Sequence, residues 1–374
     1  MKISILVWDL SSHSIVRTYP IAKVLERHYQ VEVLGPIFGS GIYEPYKDEF
    51  VYKYVKPPKV WLPVMIPSIS RLIKKIEGDV IYAFKPMPTS YGLGLLAKLF
   101  KKLPLVLDIE DWDACFFEQM SLKRKIYHTM RTAYSVNSGI YKGLMEHLTG
   151  LADQITVVSN FLQKRSGGTK LPHGADCSVF NPKYFRKEEL KEKWNVHNKK
   201  NILFSGTALP HKGLEELIRA LEILNHNNIQ LLIVGKRTEY LEWLIKNRGS
   251  YIKYMGLLPH LRMPECLSLS DLVVLPQRNE AFAQAQVPGK IFEAMAMAKP
   301  IVATNVSDLP EILDGCGWIV EPENPEKLAE AIKHVLDNPE EAEKIGQKAQ
   351  QKCIEKYSWD AMEKILLKIF KKYE

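Results

Sequence analysis

The residues whose spacing points most directly to chemistry lie in Q-V-P-G-K-I-F-E-A-M-A-M-A-K-P-I-V-A-T, from Gln286 to Thr304. Pro288 and Gly289 suit a helix start, because proline in a first turn forfeits no hydrogen bond and glycine lets a ligand approach the backbone. The free N–H groups of such a turn attract anions. Lys290 and Glu293 are three residues apart and share a helix face, where the lysine can grip a phosphate or sugar and the glutamate a ribose diol. The same spacing also describes a solvent-facing ion pair worth about 0.3 kcal/mol.

A second loop offers related chemistry. The run N-I-L-F-S leads into Gly206-Thr207-Ala208-Leu209-Pro210-His211-Lys212-Gly213 and then into a helical pattern. Backbone amides of a glycine-containing loop ahead of a helix can hold an anion, and Lys212 adds a full positive charge at the same end. Pyrophosphate is the natural guest. The G-x-x-x-x-G-K-[ST] phosphate loop is absent, and a lone lysine before a helix also occurs simply solvated.

In the first half, P-L-V-L-D-I-E-D-W-D from Pro104 to Asp113 is a strand ending in four carboxylates around Trp112. Ligands of open parallel sheets sit at the carboxyl ends of strands, which turns Asp108, Glu110 and Asp111 toward a ligand. Carboxylates there also cap a following helix. The loop Asp9-Leu10-Ser11-Ser12-His13-Ser14, with Arg17 in the first turn beyond it, is read as structural rather than chemical. Gly92-Leu93-Gly94-Leu95-Leu96-Ala97 matches G-x-G-x-x-A, but residues 85 to 91 separate it from the preceding strand, so a nicotinamide-binding fold is rejected.

These segments need a scaffold, and the chain supplies an α/β pattern. Short runs rich in Ile, Val and Leu alternate with amphipathic stretches, the signature of parallel sheets covered on both faces. Strands are expected near 2–8, 31–34, 79–83, 104–108 and 154–158, then at N-I-L-F-S, Q-L-L-I-V, Y-I-K-Y-M, D-L-V-V-L-P, P-I-V-A-T and G-W-I-V. A charged stretch near 181–200, opening with Asn181-Pro182, marks the junction of two doubly wound domains, 1–185 and 186–357. A last helix over 358–374 puts Trp359, Met362, Leu366, Ile369 and Tyr373 on one face and needs a surface to cover, which the first domain is expected to supply.

The two cationic segments together resemble the donor half of glycosyltransferase family 4, the retaining glycosyltransferases of GT-B fold. Val234-Gly235-Lys236 is similar to the family's V-G-x-G strand end, Met255-Gly256-Leu257-Leu258 to its F-x-G-x-V loop, and Ser270-Asp271-Leu272 through Pro276 to its A-D-x-x-x-x-P strand. His173-Gly174-Ala175-Asp176 with Phe180-Asn181-Pro182 resembles N-G-V-D-x-x-x-F-x-P, and Asp153 through Ser159 the A-D-x-I-x-x-V-S strand. The likeness is firm over 150–374 and loose before. It implies two Rossmann-like domains facing across a cleft, with a C-terminal helix returning to the first.

The resemblance also implies roles. Lys212 would bind the donor diphosphate and Glu293 the ribose hydroxyls. Gly206 would pass the phosphates closely, and Gly256, Leu257 and Leu258 would hold the base through main-chain groups. Pro288, Gly289 and Lys290 would complete the donor pocket, and Glu110 with Asp111 would form the acceptor-side or catalytic-support pair. Lys212 and Lys290 would be catalytic in stabilising the leaving diphosphate, with no metal and no cofactor beyond the nucleoside diphosphate sugar itself. Two positions depart from the family. Thr207 replaces the arginine of G-R-x-x-x-x-K, and Ala285 stands where the first glutamate of E-x7-E would be, which puts the donor sugar in question and makes Lys290 the substitute contact.

Composition frames the rest. The chain has 374 residues, 46% hydrophobic and 25% charged, with a net charge of +8. That is an ordinary globular balance whose positive excess favours polyanions such as phosphates, acidic lipid or nucleic acid without choosing among them. Five scattered cysteines without a C-x-x-C pair point to a reducing compartment. The first ten residues read as a buried strand rather than a leader, and no run approaches the roughly 18 apolar residues of a spanning helix, so a cytoplasmic location is expected. Segments 61–76 and 121–134 mix apolar and basic residues as a helix lying on an anionic membrane face would. The expected partners are a nucleoside diphosphate sugar, a saccharide or lipid-linked acceptor in cell-envelope polysaccharide, glycolipid or glycoconjugate synthesis, and such a surface, but no nucleic acid. The alternatives are a GT-B sugar-nucleotide epimerase and a nucleotide-sugar-binding protein without turnover.

Overall fold

Runs of four to six apolar residues buried on both faces become parallel strands once helices cover the sheet on each side. In the computed structural model, which describes residues 1–196 and 198–374, this happens twice. One unit comprises Met1–Pro172 with Met362–Glu374, and the other His173–Ala361. The segment 173–185 therefore belongs with the second unit.

The first unit holds a seven-stranded sheet of β1 (Lys2–Val7), β2 (Gln30–Pro36), β3 (Tyr52–Val55), β4 (Val80–Phe84), β5 (Leu105–Ile109), β6 (Gln154–Val157) and β7 (Thr169–Lys170), in the order β3-β2-β1-β4-β5-β6-β7. Neighbouring strands are parallel throughout. The order reverses between β1 and β4, the position at which the loops of such sheets diverge at the carboxyl ends. Every residue of β4 and β5 is buried.

That burial corrects the placing of Asp108. It lies inside β5 and is fully buried, bound by Arg17 Nε at 3.0 Å and Nη2 at 2.9 Å and by the Thr156 hydroxyl at 2.6 Å. Arg17 also donates to the Leu171 carbonyl at 2.8 Å. Asp108 therefore locks four elements of the first unit together and faces no ligand. Gly94 is likewise a packing position, since a Cβ there would meet Leu105 Cδ1 at 2.7 Å.

Residues of the helix Trp359–Phe370 complete this unit. Met362, Leu366, Ile369 and Phe370 are buried, with the Phe370 ring 5.4 Å from that of Tyr82 and 6.3 Å from that of Tyr29. Glu363 pairs with Arg27 and His28, and Tyr29 donates to Glu374 at 2.8 Å.

The second unit holds β8 (Lys200–Ser205), β9 (Ile229–Val234), β10 (Ile252–Gly256), β11 (Leu272–Leu275), β12 (Ile301–Thr304) and β13 (Trp318–Val320), ordered β10-β9-β8-β11-β12-β13 and parallel. Its reversal lies between β8 and β11. The helix Leu214–Leu224 buries Leu214, Leu217, Ile218 and Leu221, the face set by 3.6 periodicity, at about 2 kcal/mol for each side chain. Gly213 caps it with φ of 69°, and a Cβ there would fall 1.6 Å from the Pro276 carbonyl oxygen. Only glycine lets the β8 loop and the end of β11 close on each other.

Candidate functional site

The reversal between β8 and β11 gathers the second unit's candidate residues. Strand β8 ends at Ser205, and Gly206 follows with φ of 116°. The Lys290 ammonium donates to the Ser205 carbonyl, lies 4.3 Å from the centre of the Phe204 ring, and would sit 3.7 Å from a Cβ on Gly206. It comes from the first turn of the helix Lys290–Ala296, with Gly289 as N-cap and Pro288 before it. Lys212 ends the short 3-10 turn Pro210–Lys212 and donates to Gln286 Oε1 at 2.8 Å.

Glu293, one turn along from Lys290, meets His260 Nε2 at 3.1 Å, and the His260 ring packs 5.4 Å from that of Phe180. The surface ion pair that the Lys290–Glu293 spacing also allowed is not what forms: the two groups have separate partners. The loop Gly256, Leu257, Leu258 connects back through backbone, since Gly235 N–H donates to the Gly256 carbonyl at 2.9 Å and Gly235 itself rests against Gly206. Leu257 is exposed and Leu258 half-buried. His173, read only as part of a motif, packs its ring 3.4 to 3.5 Å from the Cβ position of Gly289.

Two lysines set the electrostatics of this site. Burial, then the nearby charge of Lys212, pulls the Lys290 ammonium down to about 7, with Glu293 opposing only weakly. The helix Lys290–Ala296 is two turns long, so its N-terminus offers at most about half a unit charge, less than either lysine can supply. The lysines dominate.

The first unit presents a different cluster. Lys85 directly follows β4, with φ of 68° and its N–H bonded to the Asp108 carbonyl at 2.8 Å. Its buried ammonium contacts Asp111, with Glu110 at 3.5 Å and Asp113 at 3.6 Å. Burial opposes the charge on Lys85, but Asp111, Asp113 and Glu110 together outweigh it and hold the lysine protonated. Burial raises Glu110 to about 8, because Lys85 offsets less than desolvation and the neighbouring carboxylates add. Arg165 lies 4.3 Å over the Trp112 ring and ties that loop to Glu118 and Glu146. Glu110 and Asp111 belong to this ion cluster.

Residues 186–352 match the sequence model of the family described as Glycosyl transferases group 1. That match lies within the second unit. The chain is 32% identical to alpha-D-kanosaminyltransferase of Streptomyces kanamyceticus over 47% of this chain and 46% of that protein. It is 25% identical to Spore coat protein SA of Bacillus subtilis over 58% of this chain and 62% of that protein. The chain thus matches about half to three-fifths of the length of these curated relatives. Across the whole chain the fold is that of Anabaena HepE in complex with UDP-glucose, with a TM-score of 0.78, 18% identity and 100% of both chains covered. Two doubly wound parallel sheets of this kind are the GT-B architecture.

Within the matched residues, the two departures have a structural setting. Thr207 is half-buried beside Gly206 and brings no charge, and Ala285 is fully buried at the end of the helix Ala281–Ala285. The cation beside Gly206 is Lys290. Lys85 and His260 escaped the sequence reading. A lysine directly after the wholly apolar run V-I-Y-A-F was the available signal for the first, and a histidine two residues beyond Gly256-Leu257-Leu258 for the second.

Proposed function

We propose that this chain is a retaining glycosyltransferase that moves a sugar from a nucleoside diphosphate sugar to a hydroxyl of a saccharide or lipid-linked acceptor in envelope or glycoconjugate synthesis. The observation that carries the reading is the convergence of Lys212 and a half-buried Lys290, its ammonium pulled down to about 7, beside Gly206, with Glu293 one helical turn away. Such a pocket suits a dianionic diphosphate flanked by a ribose.

As the bond between the anomeric carbon and the diphosphate breaks, negative charge grows on the departing phosphate while the sugar becomes oxocarbenium-like. Lys212 and Lys290 are placed to stabilise that charge more in the transition state than in the bound donor. The departing phosphate takes the proton of the acceptor hydroxyl, with Glu110 and Asp111 as supporting carboxylates. Thr207 leaves one cationic contact fewer on the diphosphate, and Lys290 takes its place.

A thermal-shift screen with UDP, GDP and ADP sugars tests the donor, because a ligand that binds only the folded state raises its stability by mass action. One of these sugars should raise the melting temperature, and Lys212→Ala and Glu293→Ala should each abolish the shift and lower kcat/KM by about a hundredfold. Unchanged affinity and turnover in both variants would remove the assignment. Release of an epimerised sugar from donor alone would make the protein an epimerase, and tight nucleotide binding without turnover a binding protein.

A further inference from the structure

We infer that the first unit docks on an anionic phospholipid bilayer through the paired helices Leu62–Lys74 and Leu122–Thr132. The second of these buries none of its residues, and Leu122 and Met130 are 73% and 79% exposed. Leu122, Ile126 and Met130 follow one another at four-residue spacing and form an exposed apolar ridge. The first helix buries Met65, Ser68 and Leu72 and leaves Ile66 62% exposed.

Backbone contacts tie the two helices into one surface. Leu62 N–H donates to the Tyr134 carbonyl at 2.8 Å, Val136 N–H to the Val60 carbonyl at 3.1 Å, and the Trp61 and Tyr134 rings meet at 5.1 Å. Both rings are about half exposed, and such amphipathic rings settle at the level of lipid headgroups. Lys59 lies 4.5 Å over the Trp61 ring.

Charge decides the occupant. Neither helix contains an aspartate or glutamate, while the first carries Arg71 and Lys74 and the second Lys123, Arg124, Lys125 and Arg131. Glu118, just before the second helix, is occupied by Arg165 at 2.8 Å. An apolar ridge flanked by unopposed cations fits a surface that is apolar beneath and negative above, which is an anionic bilayer. Among the described residues no helix is long and apolar enough to cross a membrane, so the contact is a peripheral one.

Flotation of the full chain with vesicles of mixed phosphatidylglycerol and phosphatidylcholine tests this independently of the transferase reading. The protein should float with these vesicles, should not float with phosphatidylcholine alone, and should be released by high salt. Combined Lys123→Glu, Arg124→Glu and Lys125→Glu should lower partitioning at least about tenfold. Leu122→Ser with Met130→Ser should weaken it similarly while the melting temperature stays that of the wild type. Failure of the wild type to bind, or equal flotation of the triple variant, overturns the proposal. So does a dimer that Leu122→Ser with Met130→Ser dissociates, since a second copy would then be the occupant.

Discussion

Lys85 in the first unit, buried, and Lys290 in the second, half-buried, both lie at the carboxyl end of a parallel sheet, yet their charges are governed oppositely. Lys85 touches or nears three carboxylates and is held charged; Lys290 contacts a carbonyl and an aromatic face, feels another lysine, and falls to about 7. A buried ammonium keeps its proton only where counter-charge offsets lost hydration. The first site is therefore an ion cluster with its own counter-charge, whereas at the second no carboxylate offsets the lost hydration of Lys290 to the same degree.

The contrast is sharpest in stability. Lys85→Met leaves Glu110, Asp111 and Asp113 crowded without their cation and should destabilise the first unit by about 3–5 kcal/mol. Lys290→Met should leave the protein at least as stable as the wild type, because it removes a desolvated amine. Unfolded, that lysine titrates near its ordinary value of 10.5, so between about 7 and that value the unfolded chain binds the extra proton. The burden on folding is thus complete below pH 7 and disappears as pH rises, and the advantage of Lys290→Met should shrink in the same direction. Urea titrations of both variants from pH 6 to 10 measure this, and equal losses from the two substitutions would erase the distinction.

Ligand binding should carry the next largest signature. If the diphosphate supplies the missing charge, Lys290 takes up a proton on binding, and donor affinity should fall as pH rises above 7, approaching tenfold for each pH unit. Calorimetry in buffers of different ionisation enthalpy reads the proton directly, and Lys290→Met should flatten the dependence. Glu110 should act in the opposite sense. Raised to about 8, it gains its carboxylate form as pH increases, so kcat should rise through that region. Glu110→Gln should remove the rising limb and lower kcat by about tenfold. A kcat profile unaltered by the substitution would leave Glu110 with a structural role only.

The part of this scheme written in contiguous sequence was legible. The inner strands β8, β9, β11 and β12 coincide with apolar runs because a strand buried on both faces needs a nearly unbroken one, and the edge strands β10 and β13 follow shorter runs that are only half-buried. Lys212, Lys290 and Glu293 were visible because glycine, proline and charge sit together at helix starts. What failed was what depends on strand pairing. Lys85 reaches Asp111, 26 residues on, only because β4 lies beside β5. Asp108 was turned toward a ligand because its partner Arg17 is 91 residues away. His260 meets Glu293 across 33 residues. The strands β3 and β7 were missed because one alternates polar and aromatic residues and the other is two residues long.

The return of residues 362–374 to the first unit bears on how the chain is made. Phe370 is fully buried against rings from the beginning of the chain, so that unit lacks part of its interior until translation has passed this point. The second unit is continuous from His173 to Ala361 and needs no segment from beyond that point. A chain cut just before Met362 would thus keep the whole second unit while leaving the first with an unfilled place beside Tyr29 and Tyr82, open to proteases.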